Sequence, residues 1–332
     1  MIEPPTDRPV RFGIVGTGGI AAAFTDDLRL LDDAEVVAVG SRSQQTADAF
    51  AAAHGVERAH GTYEGLLSDG EVDVVYVATP HPWHHPVAMQ AIASGKALLV
   101  EKPFTMTGDE AQDIVDAARR AGSFCMEAMW ARFNPHLVRV REVVASGELG
   151  EITTVLADHG QWFPRDRSSR LFAPELGGGA LLDLGVYPVS FASMVLGTPT
   201  RVTARATSAF TGVDAQTSIL LEHAGGAHAV LTCTLRAVSP TTAAVVGTEG
   251  RLEIDGPWYA PGGFTVTPRG GTPWRYEEPH DGVGLRHEAA EVVHCLRAGR
   301  PESDVMPLAE TVAIMRTLDE IHRQTGADLH VD

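Results

Sequence analysis

Two charged residues stand at the end of a buried strand, where charge is unexpected unless it serves a ligand. Glu101 and Lys102 directly follow the apolar run 97–100, and Pro103 comes next. In open α/β sheets ligands bind at the carboxyl ends of the strands, and a lysine there can polarise a bound oxygen or exchange a proton with it. The proline restricts the backbone and is able to adopt a cis bond. The alternative is a plain salt bridge, because strongly paired charges are often structural.

A glycine-rich turn lies between the first predicted strand, 10–15, and a helix that runs to about Leu31. It has the form G-x-G-x-x-A over residues 16–21. The first glycine permits the tight turn, the second lets a pyrophosphate approach the backbone, and the alanine allows close helix packing. The helix N-terminus adds N–H donors for phosphate. The predicted dinucleotide-binding residues of this turn are Gly16, Thr17, Gly18, Gly19 and Ile20.

The second predicted strand, 36–39, lacks the acid that would accept a hydrogen bond from the ribose 2′-hydroxyl of NAD. Ser41 and Arg42 stand there instead, and a hydroxyl and a guanidinium suit a 2′-phosphate. We therefore expect NADP as the cofactor, with NAD left open. The alternative for Arg42 is a solvated side chain.

Three histidines, at positions 81, 84 and 85, follow the next buried strand, 72–78. Cys and acidic residues are missing from this run at metal-ligand spacing, so we expect no metal. We expect the run to be a loop that lines the cofactor. The further predicted cofactor-binding residues are Thr79, Pro80, His84, Glu101 and Lys102.

Alternating strands and helices position these residues. Over 1–129 the alternation predicts an α/β fold with a doubly wound parallel sheet, an N-terminal Rossmann domain. Thr107 and Glu110 predict a capping box for the helix that follows. The second domain, 130–332, carries β-branched and alternating segments between 201 and 255, which predict an α+β domain with a largely antiparallel open sheet. We expect the Pro- and Gly-rich stretch 256–284 to be a long loop.

Composition restricts the function further. A chain of 332 residues suits two domains, and its formal net charge of -17 argues against nucleic acid and anionic membrane surfaces as partners. Three widely spaced cysteines form no disulfide framework, which indicates a reducing cytoplasm. The stretch 1–9 lacks a basic region before an apolar core, and we expect no apolar run long enough to span a bilayer. The sequence therefore predicts no signal peptide and no membrane anchor.

An acid and a phenol stand together in the second half of the chain. Asp183 and Tyr187 follow a triple glycine, 177–179, on a predicted helix, and residues four apart share one helix face. The pair is either catalytic or a buried hydrogen-bonded pair at a domain interface.

Taken together, the motifs resemble those of the Gfo/Idh/MocA oxidoreductase family. The resemblance rests on the glycine turn, on Ala78-Thr79-Pro80 with His84, and on Glu101-Lys102-Pro103, and it covers nearly the whole chain. Glu-Lys-Pro is that family's hallmark, and its lysine lies beside the nicotinamide. The stretches 127–135 and 177–187 look like the dimeric dihydrodiol dehydrogenase and NADP-dependent D-xylose 1-dehydrogenase branch. Tyr187 stands where many members have His, which shifts the expected proton donor from imidazole to phenol.

The resemblance implies hydride transfer between nicotinamide and a carbinol of a sugar or cyclic diol, a small polyhydroxylated substrate. Lys102, Tyr187 and Asp183 are the implied catalytic residues, and either Lys102 or Tyr187 is the direct proton partner. A free phenol has a pKa of about 10, and a neighbouring ammonium favours the phenolate. Core packing is an equal alternative for Trp130 and Trp258. The residues expected to bind substrate are Trp130, Arg132, Trp162, Phe163, Asp183, Tyr187 and Trp258.

Other functions stay open beside this one. One is a keto-sugar reductase. Another is a redox-neutral enzyme that cleaves glycosides with a retained nicotinamide; such members exist in the wider family, but Arg42 and Tyr187 resemble the dehydrogenases that use a soluble cofactor. A non-catalytic NADP sensor would need neither Lys102 nor Tyr187, so their joint presence counts against it. The resemblance also implies a homo-oligomer, a dimer or a tetramer, formed through the C-terminal sheet.

Overall fold

A computed structural model describes residues 8–326 of the chain, which form two compact units. The first unit comprises the described residues up to Phe133 together with Gly282–Val312, and the second comprises Asn134–Asp281 and the described residues from Ala313 onward. The first segment of the first unit ends at Phe133, close to the predicted domain boundary between residues 129 and 130. The segment 282–312, which the prediction placed in the second domain, belongs to the first unit. The N-terminal stretch used to predict the lack of a leader lies mostly outside the described residues.

Strands and helices of the described residues are numbered in chain order. The strands are β1 (Val10–Val15), β2 (Ala34–Gly40), β3 (Arg58–His60), β4 (Val74–Val77), β5 (Ala97–Glu101), β6 (Cys125–Ala128), β7 (Ile152–Gly160), β8 (Arg201–Ser208), β9 (Asp214–Glu222), β10 (His228–Thr234), β11 (Ala243–Gly247), β12 (Gly250–Ile254), β13 (Gly263–Pro268) and β14 (Trp274–Glu277). The α-helices are α1 (Gly19–Leu28), α2 (Gln44–Ala53), α3 (Tyr63–Leu67), α4 (His84–Ala93), α5 (Gly108–Ala121), α6 (Pro135–Ser146), α7 (Val186–Leu196), α8 (Arg286–Arg297) and α9 (Leu308–Thr325).

The first unit is built on a six-stranded sheet in the order β3-β2-β1-β4-β5-β6, with every neighbouring pair parallel. Strand β4 is buried along its whole length, as strands covered on both faces are. The chain order reverses beside β1, where β2 and β4 are its two neighbours, and such a switch point is where doubly wound sheets bind ligands. The predicted Rossmann fold is confirmed.

Helices α5 and α2 both follow a residue of a type that commonly caps helices, Thr107 and Ser43 respectively. Thr107 accepts a hydrogen bond from the Glu110 backbone N–H at 3.2 Å, as predicted for a capping box. The Glu110 carboxylate, however, accepts from the N–H of Met106 at 2.9 Å. Ser43 precedes α2, but its side chain makes no capping hydrogen bond.

The second unit is built on an eight-stranded sheet in the order β14-β13-β12-β11-β7-β10-β9-β8. All neighbouring pairs are antiparallel except β7 and β10, which confirms the prediction of a largely antiparallel sheet. Strands β13 and β14 lie in the stretch that we expected to be a loop. They are short and stand at the sheet's edge, and half of β14 faces solvent, so their apolar signal is weak.

One helical stretch, Pro174–Leu196, is long and apolar enough to cross a membrane by length and composition, contrary to the expectation from the sequence. Its apolar window is 83% buried inside the protein. That burial is typical of the core helix of a water-soluble fold, so the stretch carries no case for a membrane span.

Candidate functional site

The glycine turn between β1 and α1 has the shape that a pyrophosphate needs. Gly16 has φ +115°, and a Cβ on it would lie 2.4 Å from the carbonyl oxygen of Ala78, so the position requires glycine. At Gly18 and Gly19 an added Cβ would meet no atom within 4 Å. Helix α1 begins directly afterwards, with no side-chain cap and no acid in its first turn. Its N–H groups therefore face an open cradle suited to phosphate.

A groove of about 320 Å³ lies in the first unit, among residues that follow β2, β3 and β4. Arg42, Tyr63 and Trp83 contribute to its walls, and the Trp83 side chain is 46% exposed. Burial raises the pKa of the Tyr63 phenol, while the nearby Arg42 charge opposes the rise. A cation and two aromatic rings thus border one groove in the first unit. The sequence suggested Arg42 and placed Trp83 in the run expected to line the cofactor, whereas nothing in it pointed to Tyr63.

His84 connects the two strand ends that carry the other predicted cofactor residues. Its Nδ1 lies 2.9 Å from the carbonyl oxygen of Pro103, and its Nε2 lies 2.9 Å from that of Thr79. Burial lowers the pKa of the fully buried imidazole. Both ring nitrogens are occupied by backbone, so His84 holds the loops after β4 and β5 in place. Its predicted direct contact with cofactor gains no support from this position.

Glu101 supports the backbone of Lys102. One carboxylate oxygen accepts from the Tyr76 hydroxyl in a short hydrogen bond, and the other accepts from the Lys102 N–H at 3.0 Å. The Lys102–Pro103 bond is cis, as the sequence allowed. Lys102 therefore stands at the carboxyl end of β5 on a backbone fixed by its neighbour, where charge was expected to serve a ligand.

Two predicted substrate residues, Trp130 and Arg132, are buried in the first unit. Arg132 is 2% exposed, donates to the Glu310 carboxylate at 2.7 Å and approaches the Val305 carbonyl oxygen at 3.3 Å. Its guanidinium is committed to the protein, which argues against the prediction that it binds substrate. Burial of Trp130 agrees with the core-packing alternative.

The predicted catalytic helix of the second unit begins as a π-helix, Leu181–Gly185, before α7. Asp183 lies within the π-turn and Tyr187 follows it in α7, so the spacing between them is not the α-helical one assumed from the sequence. Asp183 accepts a hydrogen bond from Arg170 Nη1 at 2.8 Å. Single π-turns are frequent at functional sites.

A buried acid holds the start of this π-helix. Asp214, 3% exposed, accepts from the Leu181 N–H and from the Thr217 hydroxyl, both at 2.8 Å. Burial raises the pKa of the Asp214 carboxyl to about 6. Gly179 has φ +124°, and a Cβ there would lie 2.2 Å from Asp214 Oδ1. The glycine before the helix is thus a tight packing position.

Tyr187 stands in a group of three rings. Its ring centroid lies 5.1 Å from that of His159 and 5.0 Å from that of Tyr259, while His159 and Tyr259 are 4.4 Å apart. The Gln161 amide Nε2 lies 3.0 Å from His159 Nε2 and 3.2 Å from the Tyr259 hydroxyl oxygen. The phenol is therefore held edge-on by an imidazole that is itself fixed by hydrogen bonding.

The remaining aromatic candidates separate by burial. Trp258 is 1% exposed, packs 5.0 Å from Phe191 and donates its indole N–H to the Asp158 carbonyl at 2.9 Å. This placement supports the core-packing alternative for Trp258. Phe163 packs against an apolar cluster that includes Leu184 of the π-helix. Trp162 is 62% exposed and is the one of these three available to a ligand.

Within residues 8–326, no group of three or more His, Cys, Asp or Glu side chains is placed to hold a metal ion.

Comparisons with known proteins agree with this architecture. Residues 10–129 match the oxidoreductase family with an NAD-binding Rossmann fold, and residues 137–253 match the GFO/IDH/MocA C-terminal domain. The trans-1,2-dihydrobenzene-1,2-diol dehydrogenase of Bos taurus is 36% identical over 327 residues, covering 96% of this chain and 97% of that protein. The chain belongs to the Gfo/Idh/MocA oxidoreductase family. It is an NAD(P)-dependent dehydrogenase, as the resemblance implied.

Further relatives of this Gfo/Idh/MocA chain extend the comparison. The trans-1,2-dihydrobenzene-1,2-diol dehydrogenase of Mus musculus is 37% identical and covers 97% of this chain and 99% of its own. The structure of KijD10, a 3-ketoreductase from Actinomadura kijaniata with NADP and TDP-benzene, is 25% identical with a TM-score of 0.84. It covers 96% of this chain and 98% of its own. An aldose-aldose oxidoreductase from Caulobacter crescentus shares the fold with a TM-score of 0.87, 24% identity and coverage of 96% and 98%.

Proposed function

We propose that this enzyme is an NADP-dependent dehydrogenase that oxidises a secondary carbinol of a cyclic trans-diol or a pyranose such as D-xylose. The observation that carries this proposal is the identity of 36% and 37% with dihydrodiol dehydrogenases over nearly the full length of both chains. Tyr187, in its three-ring group, supplies a phenol where that chemistry needs a proton-exchanging group.

NADP is the proposed cofactor, and the first unit fits it. When bound, the nicotinamide accepts the hydride from the substrate carbon. The open cradle at Gly18 would receive the pyrophosphate, and Ser41 with Arg42 would receive the 2′-phosphate. Tyr63 and Trp83 offer faces on which the adenine would stack. The remaining proposed cofactor residues are Gly16, Thr17, Gly19, Ile20, Thr79, Pro80, Glu101 and Lys102, with His84 acting through the loops that it holds.

Lys102 and Tyr187 are proposed to handle the proton of the substrate hydroxyl. An ammonium beside the reacting oxygen would favour its deprotonated form, and a phenol would pass the proton onward. Asp183 would bind a second hydroxyl, because its carboxylate accepts hydrogen bonds and Arg170 holds it in place. Trp162, which is 62% exposed, remains a proposed contact for the apolar face of the ring.

The proposed roles are tested by comparing Tyr187→Phe with Lys102→Met. If Tyr187 exchanges the proton, Tyr187→Phe loses at least about 100-fold in kcat and still binds NADPH normally by fluorescence titration. Near-normal turnover in Tyr187→Phe, beside an inactive Lys102→Met, would show that Lys102 alone is the proton partner.

The cofactor preference has its own test. Arg42→Ala should weaken binding of 2′,5′-ADP by about 10-fold or more and leave 5′-AMP binding nearly unchanged. Equal losses for both ligands would mean that Arg42 does not read the 2′-phosphate.

A keto-sugar reductase is the second candidate, because KijD10, a 3-ketoreductase, is 25% identical over nearly the whole chain. The two candidates separate by substrate and direction. Oxidation of diols or aldoses with NADP favours the first, and NADPH oxidation by keto-sugars alone favours the second. Nicotinamide retained through gel filtration, with no net redox turnover, would indicate the redox-neutral chemistry.

A homo-oligomer in a reducing cytoplasm is the proposed setting. Leu156 and Val230 expose 43% and 49% of their area on the sheet of the second unit, and apolar patches of this kind often mark interfaces. The three cysteines are free and buried, which agrees with a reducing compartment. Val230→Arg should lower the mass measured by light scattering if this face joins the subunits, and an unchanged mass would place the interface elsewhere.

A further inference from the structure

Three arginines stand within six residues of the loop after β7. Arg165, Arg167 and Arg170 are exposed, and the segment 161–170 carries one aspartate beside them. The whole chain has a formal charge of -17, so this loop is a local reversal of sign. A concentrated positive charge on an acidic protein raises the local concentration of anions.

The first two arginines of this loop, Arg165 and Arg167, are held against an aromatic ring. The guanidinium carbon of Arg165 lies 4.6 Å from the centroid of Phe210, and that of Arg167 lies 5.4 Å from it. Arg167 also approaches the Phe210 carbonyl oxygen at 3.4 Å. A guanidinium stacked on a ring uses its face, which leaves the N–H donors in its plane for a planar or tetrahedral oxyanion.

This platform is anchored to the helix that carries the proposed catalytic residues. Phe210 packs 5.2 Å from Phe172. Phe172 belongs to the apolar cluster that includes Ala180 and Leu184 at the start of the π-helix. Arg170, on the same loop, donates to Asp183 at 2.8 Å. The positive loop and Asp183 are therefore parts of one packed assembly.

The charges of Arg165 and Arg167 are not consumed by neighbouring acids. Asp166 accepts hydrogen bonds from the Ser168 N–H at 2.8 Å and from the Ser168 hydroxyl at 2.7 Å, and these bonds lower the pKa of its carboxyl. Within residues 8–326, neither arginine forms an ion pair with a carboxylate. Two guanidiniums held on one ring without an acidic partner form a site for an oxyanion.

We propose that Arg165 and Arg167 bind an oxyanion carried by the substrate, so that the preferred substrate is an acidic sugar or diol, a carboxylate or a phosphate ester. This inference rests on the proposed dehydrogenase function and names its substrate class. Arg170 keeps its role of holding Asp183. Long-range attraction to the loop makes the effect sensitive to ionic strength.

The test compares matched substrates in wild type and in Arg165→Gln/Arg167→Gln. D-glucose, D-glucuronate and D-glucose 6-phosphate are measured with NADP, and Arg201→Gln is the control, since Arg201 is an exposed arginine at the far end of β8. For the double variant we expect kcat/KM to fall about 5-fold or more with whichever anionic substrate is used, through KM. Turnover of D-glucose should stay within about 2-fold. Salt should weaken the anion preference of wild type only.

Two outcomes overturn the inference. One is an equal effect of the double variant on neutral and anionic substrates, and the other is a wild type with no preference for the anions. If nothing in the panel is oxidised, binding of D-glucose 6-phosphate and D-glucuronate is measured by calorimetry on the NADPH complex. Binding lost only in the double variant then supports the anion site while the dehydrogenase proposal fails, and binding unchanged in the double variant refutes the site. A separate Phe210→Leu variant should reproduce the loss.

Discussion

Replacing Asp214 by Asn should change how the stability of this protein depends on pH. Asp214 is buried at the start of β9 and holds the π-helix through the Leu181 N–H. Asn keeps an oxygen that can accept that bond and the one from Thr217. The substitution removes the ionisation while it preserves the shape, so it isolates the free energy of burying the charge.

The magnitude follows from the pKa. Burial raises the pKa of Asp214 from 3.8 to about 6, which corresponds to about 3 kcal/mol. Between those pH values the folded state holds more protons than the unfolded state, so this group's contribution to stability falls as pH rises through the window. Well above the folded pKa of about 6, this group's contribution to stability is lost completely. Asp214→Asn cannot titrate, so its free energy of unfolding relative to wild type should rise by about 3 kcal/mol from pH 4 to pH 8.

Urea unfolding at pH 4, 6 and 8 measures this difference. Comparing the variant with wild type at each pH cancels the titration of all other groups. Asp32→Asn is the matched control, because it makes the same Asp-to-Asn change at an exposed position. A stability difference for Asp214→Asn that is the same at pH 4 and pH 8 would refute the account of Asp214 as a buried, raised acid.

Four other substitutions test separate parts of the structure. Gly16→Ala should lose about 1–3 kcal/mol of stability as well as NADPH binding, because its Cβ would lie 2.4 Å from the Ala78 carbonyl oxygen. Gly18→Ala should lose NADPH binding alone. Thermal unfolding measures the stability of both variants, and fluorescence titration measures their NADPH binding. Gly179→Ala should lose at least about 1–3 kcal/mol and most activity, because its Cβ would lie 2.2 Å from Asp214; normal melting and turnover would contradict this. Burial lowers the pKa of His322 from 6.5 to about 4, so stability falls as pH drops through that range; His322→Leu should remove about 3 kcal/mol of this loss, and an unchanged acid profile in urea unfolding would refute it.

The first unit was largely predictable from the sequence, because its signals are local. A glycine turn, a strand end and a capping box each occupy fewer than ten neighbouring residues, and parallel strands bring their carboxyl ends to one edge. Gly16, Arg42 and Lys102 were proposed as site residues from such local patterns. The return of 282–312 to this unit could not be predicted, because no local pattern specifies which of two cores a helix packs against.

The second unit was less predictable because its site depends on pairing across long stretches of chain. Asp214 meets Leu181 33 residues away, and Tyr259 joins Tyr187 from beyond five strands. The π-turn at 181–185, which changes the spacing between Asp183 and Tyr187, has no clear sequence signature. The burial of Arg132 with Glu310, which argues against its predicted substrate role, cannot be read from either residue alone.

The decisive measurement of the dehydrogenase proposal is reduction of NADP by the wild-type enzyme with a cyclic trans-diol or D-xylose, followed at the absorbance of reduced nicotinamide. We expect turnover with NADP, little with NAD, and none in Lys102→Met although that variant still binds NADPH. Wild type that binds NADPH but reduces no NADP with any diol, aldose or inositol, including the acidic sugars, would contradict it.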